Sequence, residues 1–552
     1  MVNLPNRVKL YNKLRLYELI NQTPPKRGFF CTIYGLTIMF KRIMSMPLHL
    51  AVASCFVYSL SASTLYAAES FIPDHQLENP WFIEGAQRIQ DKANFIGMPA
   101  PKKSKPIKNV ILFIGDGMGV STVTAARILE GQLLGKLGEE HDLSFDLFPF
   151  TALSKTYNVD AQTPDSAGTM SAIMTGVKTN ISMFGVDQHV THNDCASMQD
   201  HELVTALELA ELAGQSTGIV STTRITHATP AATYAKTPNR NWEDDSVMTQ
   251  AAKDQGCKDI ATQLVNFEKN LKKRYPQSKK INGIEVVLGG GRAHFKDNRQ
   301  DGKDLIQQWQ QEQPKGQYIT TAKEFAAIDT EKTNQLFGLF NDSHMAYENP
   351  ANKSNTQEPS LSEMATTAVD ILDKNSAGYF LMVEAGRIDH GHHAGNAYQA
   401  LHETINLSQA VAATLNRVDL SETLILVTAD HSHVMTISGY PKRGNPILGK
   451  VVKPHKDSPA LAFDQMPYTT LGYMNGPGAY IPVAKNSKAR RDISEKDTEA
   501  HDYLQQSLVP LGSETHGGED VTIYGQGRGS ALVSGTLEES AIFHIMQYLA
   551  PW

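Results

Sequence analysis

The sequence predicts an α/β fold, and three observations predict it. Short apolar or β-branched runs recur at 110–114, 219–221, 285–288, 379–383 and 424–427, each ending in small and polar residues. Helix-like stretches with apolar residues at three and four spacings lie between and after them, at 202–213, 360–373 and 397–418, and would flank the sheet. Four of the five strand exits carry side chains of the kind that bind metals or phosphate, and the carboxyl ends of strands are where such sheets hold ligands.

Length and charge bound the class. The chain has 552 residues, 41% hydrophobic and 20% charged, enough for one large core or two domains. Its formal net charge of −7 combines +7 on residues 1–68, where Glu18 is the only acid, with −14 on the rest. A body this acidic lacks the basic stripe that nucleic acid requires, so no nucleic-acid partner is expected.

Taken in order, residues 1–68 come first, as an N-terminal extension with a secretory signal. Lys41 and Arg42 precede a stretch, 43–68, without Asp, Glu, Lys or Arg, ending in Ala67 and Ala68. The basic flank is too long for such a leader, so translation is expected to begin at Met39, Met44 or Met46. Two rivals are a retained membrane anchor and a lipid-modified Cys55. Cleavage leaves Cys195 and Cys257 in an exported, periplasmic or extracellular protein, where thiols oxidise. They are expected to pair, the alternative being two buried free thiols.

The run 110–114 opens onto GDGMG, where Asp116 leaves a buried strand between two glycines that let backbone crowd an ion or phosphate. The same Asp also fits a tight turn that caps the next helix. In PDSAG, Ser166 follows Asp165 at a predicted helix start, where free N–H groups favour an anion. Ser166 is either a helix cap or a nucleophile, and with no histidine near in sequence a nucleophilic serine needs a metal to activate it. Residues 293–350 form a polar excursion read as surface elaboration.

The run 379–383 feeds EAGRIDHGHH, which concentrates Glu384, Asp389 and three histidines at one chain reversal. A helix starting near Asp389 places Asp389 and His393 on one face, so that one ion can bind both. In TADHSH, Asp430 and His431 share a strand exit. From 440 to 515 the periodicity breaks down into Pro-, Gly- and Lys-rich sequence, an inserted subdomain, before the chain returns at THGGED with His516. In isolation His516 reads as an exposed loop histidine.

Together GDGMG, PDSA, THATPA, NRNW, EAGRIDHGHH, TADH and THGGED, in that order over nearly the whole chain after residue 68, resemble the alkaline phosphatase family. The resemblance implies a doubly wound, mostly parallel central sheet flanked by helices in 69–435, a crown-type subdomain in 436–515 and a core return in 516–552. It implies two zinc ions, one on Asp389, His393 and His516 and the other on Asp116, Asp430 and His431 beside Ser166. It also implies one magnesium on Asp116, Thr229 and Glu384. Ser166 becomes the nucleophile, carrying a phosphoserine, and Arg240 of NRNW grips the phosphate of small monoester substrates with its two-pronged guanidinium. The family usually forms homodimers, with the segment between His431 and His516 at the interface.

Two positions depart from some bacterial members: His227 stands where they carry aspartate beside the magnesium, and His390 where they carry lysine. A neutral imidazole suits zinc better than hydrated magnesium, so the third site is expected to hold magnesium weakly or to take zinc. His390 is expected to order water near the phosphate. His189, His192, His201, His392 and His433 read as surface or packing residues. Related diesterases present threonine and sulfatases a modified cysteine or serine, so Ser166 with Arg240 favours monoesters. An inert metal binder would lack a ligand, and none is missing.

Overall fold

The computed structural model describes residues 71–99, 106–350, 357–481 and 490–552. The expected leader, the start methionines and Cys55 lie outside the described residues. Among those described, no helix is long and apolar enough to cross a membrane.

In chain order the strands are β1 Asn109–Gly115, β2 Phe150–Lys155, β3 Ser216–Arg224, β4 Val286–Gly290, β5 Gln317–Ile319, β6 Leu336–Leu339, β7 Tyr379–Ala385 and β8 Thr423–Ala429. They continue with β9 Ser432–His433, β10 Met435–Ile437, β11 Leu471–Gly476, β12 Ser507–Pro510, β13 His516–Gly517, β14 Val521–Gly527 and β15 Gly535–Glu538. Ten of them form one sheet in the order β15-β2-β14-β8-β1-β7-β3-β4-β6-β5. From β8 to β5 every pairing is parallel, and β14 runs antiparallel to both its neighbours.

The five predicted runs are the five consecutive strands at the centre, β8-β1-β7-β3-β4. They read as near-continuous apolar sequence because both faces are covered. Along β1, Val110, Leu112 and Ile114 pack into one core and Ile111 and Phe113 into another, the alternation that a pleated strand imposes. The second core is closed by the helices Val120–Leu133, Leu361–Leu372 and Ala397–Leu415, the first by Pro80–Phe95, Ser166–Thr175, Ala206–Ala213 and Ala541–Leu549. The sheet is thus doubly wound.

Helix boundaries follow capping chemistry. The helix expected over 202–213 starts at Ala206 because Thr205 and Glu208 form a reciprocal capping box, and it stops at Gly214 in the left-handed region. Ser360 and Glu363 open the Leu361–Leu372 helix in the same way.

The stretch 293–350 is more than the surface elaboration expected of it. It supplies β5 and β6, which close one edge of the sheet, and Leu336, Phe337 and Leu339 are buried. Strands of three and four residues are too short to show a period of two in sequence. Within 436–515, β10, β11 and β12 make a three-stranded sheet whose Leu471 and Tyr473 join the same apolar cluster as β1 and β7. The two-residue strands β9 and β13 pair antiparallel, His433 opposite His516, and so tie THGGED to the exit of β8.

Candidate active site and metal centre

The parallel register aligns the strand exits. Gly115 pairs with Ala385 on one side and Ala429 on the other, so Asp116, Glu384 and Asp430 leave the sheet side by side although far apart in sequence. All three are fully buried. Gly117 adopts a φ of +68°, and a Cβ there would stand 2.4 Å from the His433 ring, so the GDG turn needs its second glycine for space as well as conformation. Asp116 does not cap the following helix, whose cap position is Gly119.

Nor is Ser166 a cap. The Asp165 side chain caps the Ser166–Thr175 helix by accepting from Gly168 N–H, which leaves the Ser166 hydroxyl to face the strand exits. Its Oγ lies 3.0 Å from His431 Nε2 and 3.3 Å from Asp116 Oδ1. Asp430 Oδ2 accepts from Thr169 Oγ1 at 3.2 Å and its Oδ1 from Gly117 N–H at 3.1 Å. Asp116, Asp430 and His431 thus form one compact set.

A second set gathers around Asp389. Its Oδ1 is 3.3 Å from His393 Nε2 and 3.3 Å from His516 Nε2, and those two nitrogens are 3.1 Å apart. The other ring nitrogens are engaged with backbone, His393 Nδ1 with Glu514 O at 2.6 Å and His516 Nδ1 with Pro164 O at 2.8 Å. Each Nδ1 donates to a carbonyl, so both Nε2 atoms present lone pairs to each other and to a carboxylate. That mutual repulsion is relieved by a cation, and the backbone bonds fix the tautomer a metal requires.

A third set is marked by four buried polar atoms without hydrogen-bond partners: Asp116 Oδ2, His227 Nδ1, Thr229 Oγ1 and Glu384 Oε1. Asp116, His227 and Glu384 lie close enough to share one ion. Glu384 Oε2 meanwhile accepts from Ser221 and Thr223. Burial, then the neighbouring Asp430, Asp389 and Glu384 carboxylates, push Asp116 well above its ordinary range, and burial pushes Glu384 up to about 7. Carboxylates so crowded ionise readily only beside added positive charge. The donor sets therefore fit metal ions, nitrogen and oxygen together at the first two and oxygen with one imidazole at the third.

Arg240 meets Asp165, the residue before the serine. Its Nη1 donates to Asp165 Oδ2 at 2.9 Å, and Nη2 lies 3.3 Å from His227 Nε2. Burial would raise Asp165, but Arg240 and the N–H groups of Ser182 and Gly168 outweigh it and hold the carboxyl low. His390 stands beyond His227, with ring centroids 5.5 Å apart. Asp165 thus aims Arg240, a role that its place as a mere neighbour of Ser166 did not suggest.

His433 departs from its packing reading. It is buried, with Nε2 2.8 Å from Asp389 Oδ1 and Nδ1 2.5 Å from Glu514 Oε2, so it orients the carboxylate at the centre of the second set. The alternation His431, Ser432, His433 was the available signal, since residues two apart in extended chain turn to one side, and the two rings lie 5.6 Å apart. His392 does pack, held by Thr122 at 3.0 Å and Tyr473 at 2.7 Å, and His189 and His192 are exposed.

Cys195 and Cys257 form a disulfide, with Cα atoms 5.9 Å apart. It packs against Trp242, two residues beyond Arg240, while Asn193 accepts from Asn239 at 2.6 Å. The bridge anchors the loop that presents the guanidinium.

The alkaline phosphatase family profile matches residues 107–551. The chain is 44% identical over 462 residues to the tissue-nonspecific alkaline phosphatase isozyme of Gallus gallus, covering 80% of this chain and 84% of that protein. It is 41% identical over 500 residues to the alkaline phosphatase of Gadus morhua, covering 87% and 98%. Among solved structures, the alkaline phosphatase of Thermus thermophilus superposes with a TM-score of 0.57 at 23% identity, covering 81% of this chain and 92% of the other, a likeness of fold.

Proposed function

Because the chain belongs to the alkaline phosphatase family and is therefore a phosphoric monoester hydrolase, we propose that it works through Ser166 with Arg240 as phosphate ligand. The observation that carries this reading is the Ser166 hydroxyl held between His431 Nε2 and Asp116 Oδ1, at the head of a helix whose dipole favours phosphoryl oxygens.

Asp389, His393 and His516 would hold one zinc ion, Asp116, Asp430 and His431 a second, and Asp116, Thr229 and Glu384 a magnesium, with His227 able to turn that third site toward zinc. When bound, these ions supply positive charge to the phosphoryl oxygens and ease deprotonation of the attacking hydroxyl and water. Ser166 Oγ forms a bond to phosphorus as the ester oxygen leaves, giving a phosphoserine. Water then attacks that phosphorus, returning Ser166 and releasing inorganic phosphate. Arg240, aimed by Asp165, spans two phosphoryl oxygens with parallel N–H donors, which lysine cannot copy. His390 orders water beside them. Enzymes accelerate phosphate monoester hydrolysis by up to ~10²¹, and a proton shuttle alone supplies only ~10²–10⁴, so most of the barrier must fall to charge and positioning.

The charge-free stretch 43–68 after Lys41 and Arg42, and the disulfide, support an exported protein, periplasmic or extracellular. Exposed Tyr440, Phe463 and Leu508 in the 436–515 segment support a homodimer through that face. The test of the whole reading is metal analysis run beside hydrolysis of 4-nitrophenyl phosphate at alkaline pH. Two zinc ions per chain with chelator-sensitive turnover are expected; protein that binds metal without turnover would overturn it.

A further inference from the structure

Arg387, first residue of the helix that carries Asp389, has no part in the chemistry above. Its guanidinium carbon lies 3.8 Å from the centre of the Tyr347 ring, and Nη1 is 3.1 Å from His390 Nδ1. Among the described residues it makes no ion pair with a carboxylate, and its buried Nε has no hydrogen-bond partner. Glu403, the acid whose charge it influences, is engaged elsewhere and accepts from Glu348 N–H at 2.6 Å. Arg224, on the same rim, differs: Glu243 neutralises it through hydrogen bonds of 2.7 and 2.6 Å.

Between Arg387 and Arg240 stand three imidazoles. The His344 ring lies 4.2 Å from His390 and 5.3 Å from His227, and His227 in turn meets Arg240. A line that begins at Arg240 ends in one partly buried cation that makes no ion pair among the described residues. Leaving such a charge uncompensated is costly, and its planar fork is shaped for an oxyanion.

We propose that Arg387 is a second anion subsite, which receives an anionic oxygen group on the leaving side of the ester while Arg240 holds the phosphoryl group that is transferred. The favoured substrates are then phosphate monoesters whose leaving alcohol is itself an anion. This rests on the monoesterase reading of the site, and 4-nitrophenyl phosphate tests that reading separately: a wild-type protein without turnover on it condemns the reading, not the subsite.

The direct test compares 2-phosphoglycerate with glycerol 2-phosphate, which differ by a carboxylate in place of a hydroxymethyl group. The wild-type enzyme is expected to favour the carboxylate ester in kcat/KM. Arg387→Gln is expected to remove about tenfold of that preference, the order of one charge-assisted hydrogen bond, chiefly through KM for the anionic ester. Arg387→Lys keeps the charge and is expected to fall between. The preference is a ratio on one preparation, so it survives partial loss of folding or metal, and zinc content with the melting temperature tracks either. A wild type indifferent to the carboxylate, or a ratio that Arg387→Gln leaves unchanged, overturns the proposal.

Discussion

His227 is expected to decide which ion the proposed third set prefers. Its Nδ1 is one of four orphaned buried atoms there, and an imidazole beside two carboxylates attracts zinc more than a hydrated magnesium. His227→Asp should therefore keep more magnesium after dialysis against chelator and resupply, read by mass spectrometry of the protein; equal retention in both proteins refutes the argument. His433→Ala removes the hydrogen bond that orients Asp389, and support of this kind is worth about 10- to 100-fold in metal affinity. Zinc competition against a chromophoric chelator should show a loss of that size, partly restored by His433→Gln. Asp389 and His393 were legible because residues four apart on a helix share a face. Asp165 was not, because it acts on a residue distant in sequence and has no spacing that announces it, and His433 offered only its alternation with His431.

At the scale of elements, the five central strands were legible because both their faces are buried, whereas β5, β6 and the two-residue strands carry too few residues to show a period. Two elements give tests. The disulfide closes a sequence separation of 62 residues against Trp242, and a loop of that length corresponds to about 4 kcal/mol. Cys195→Ser with Cys257→Ser should lower the melting temperature and raise KM through Arg240; an unchanged melting temperature contradicts the first expectation. At the start of β3, away from the metal sets, Glu211 accepts from Thr217 Oγ1 at 2.6 Å and Glu285 from Thr217 N–H at 2.7 Å. Burial pushes Glu211 up to about 8 and Glu285 up to about 7. These folded values exceed those of an unfolded chain, so the protonated pair stabilises fully at low pH and that stability is lost as pH rises through about 7 to 8. Each released proton costs about 1.4 kcal/mol per pH unit across the window. Glu211→Gln should accordingly gain in melting temperature over the wild type as pH goes from 5 to 9, and a constant gap would count against it.

For the whole molecule, Tyr440, Phe463 and Leu508 are exposed apolar residues of 436–515, the segment through which we propose that a second copy docks. Phe463→Asp with Leu508→Asp should yield monomers by light scattering while the zinc content stays unchanged; intact dimers would move the interface elsewhere. The α/β class and the order of the motifs were legible over the whole chain, but the pairing of β9 with β13 was not, since nothing local links TADHSH to THGGED. That pairing bears on biosynthesis. Ser166 and Arg240 leave the ribosome early, yet His516 emerges close to the C-terminus and becomes a partner of His393 only once β13 has found β9. A nascent or truncated polypeptide thus carries the proposed nucleophile without a finished centre, and hydrolysis is expected to begin only after β13 has docked.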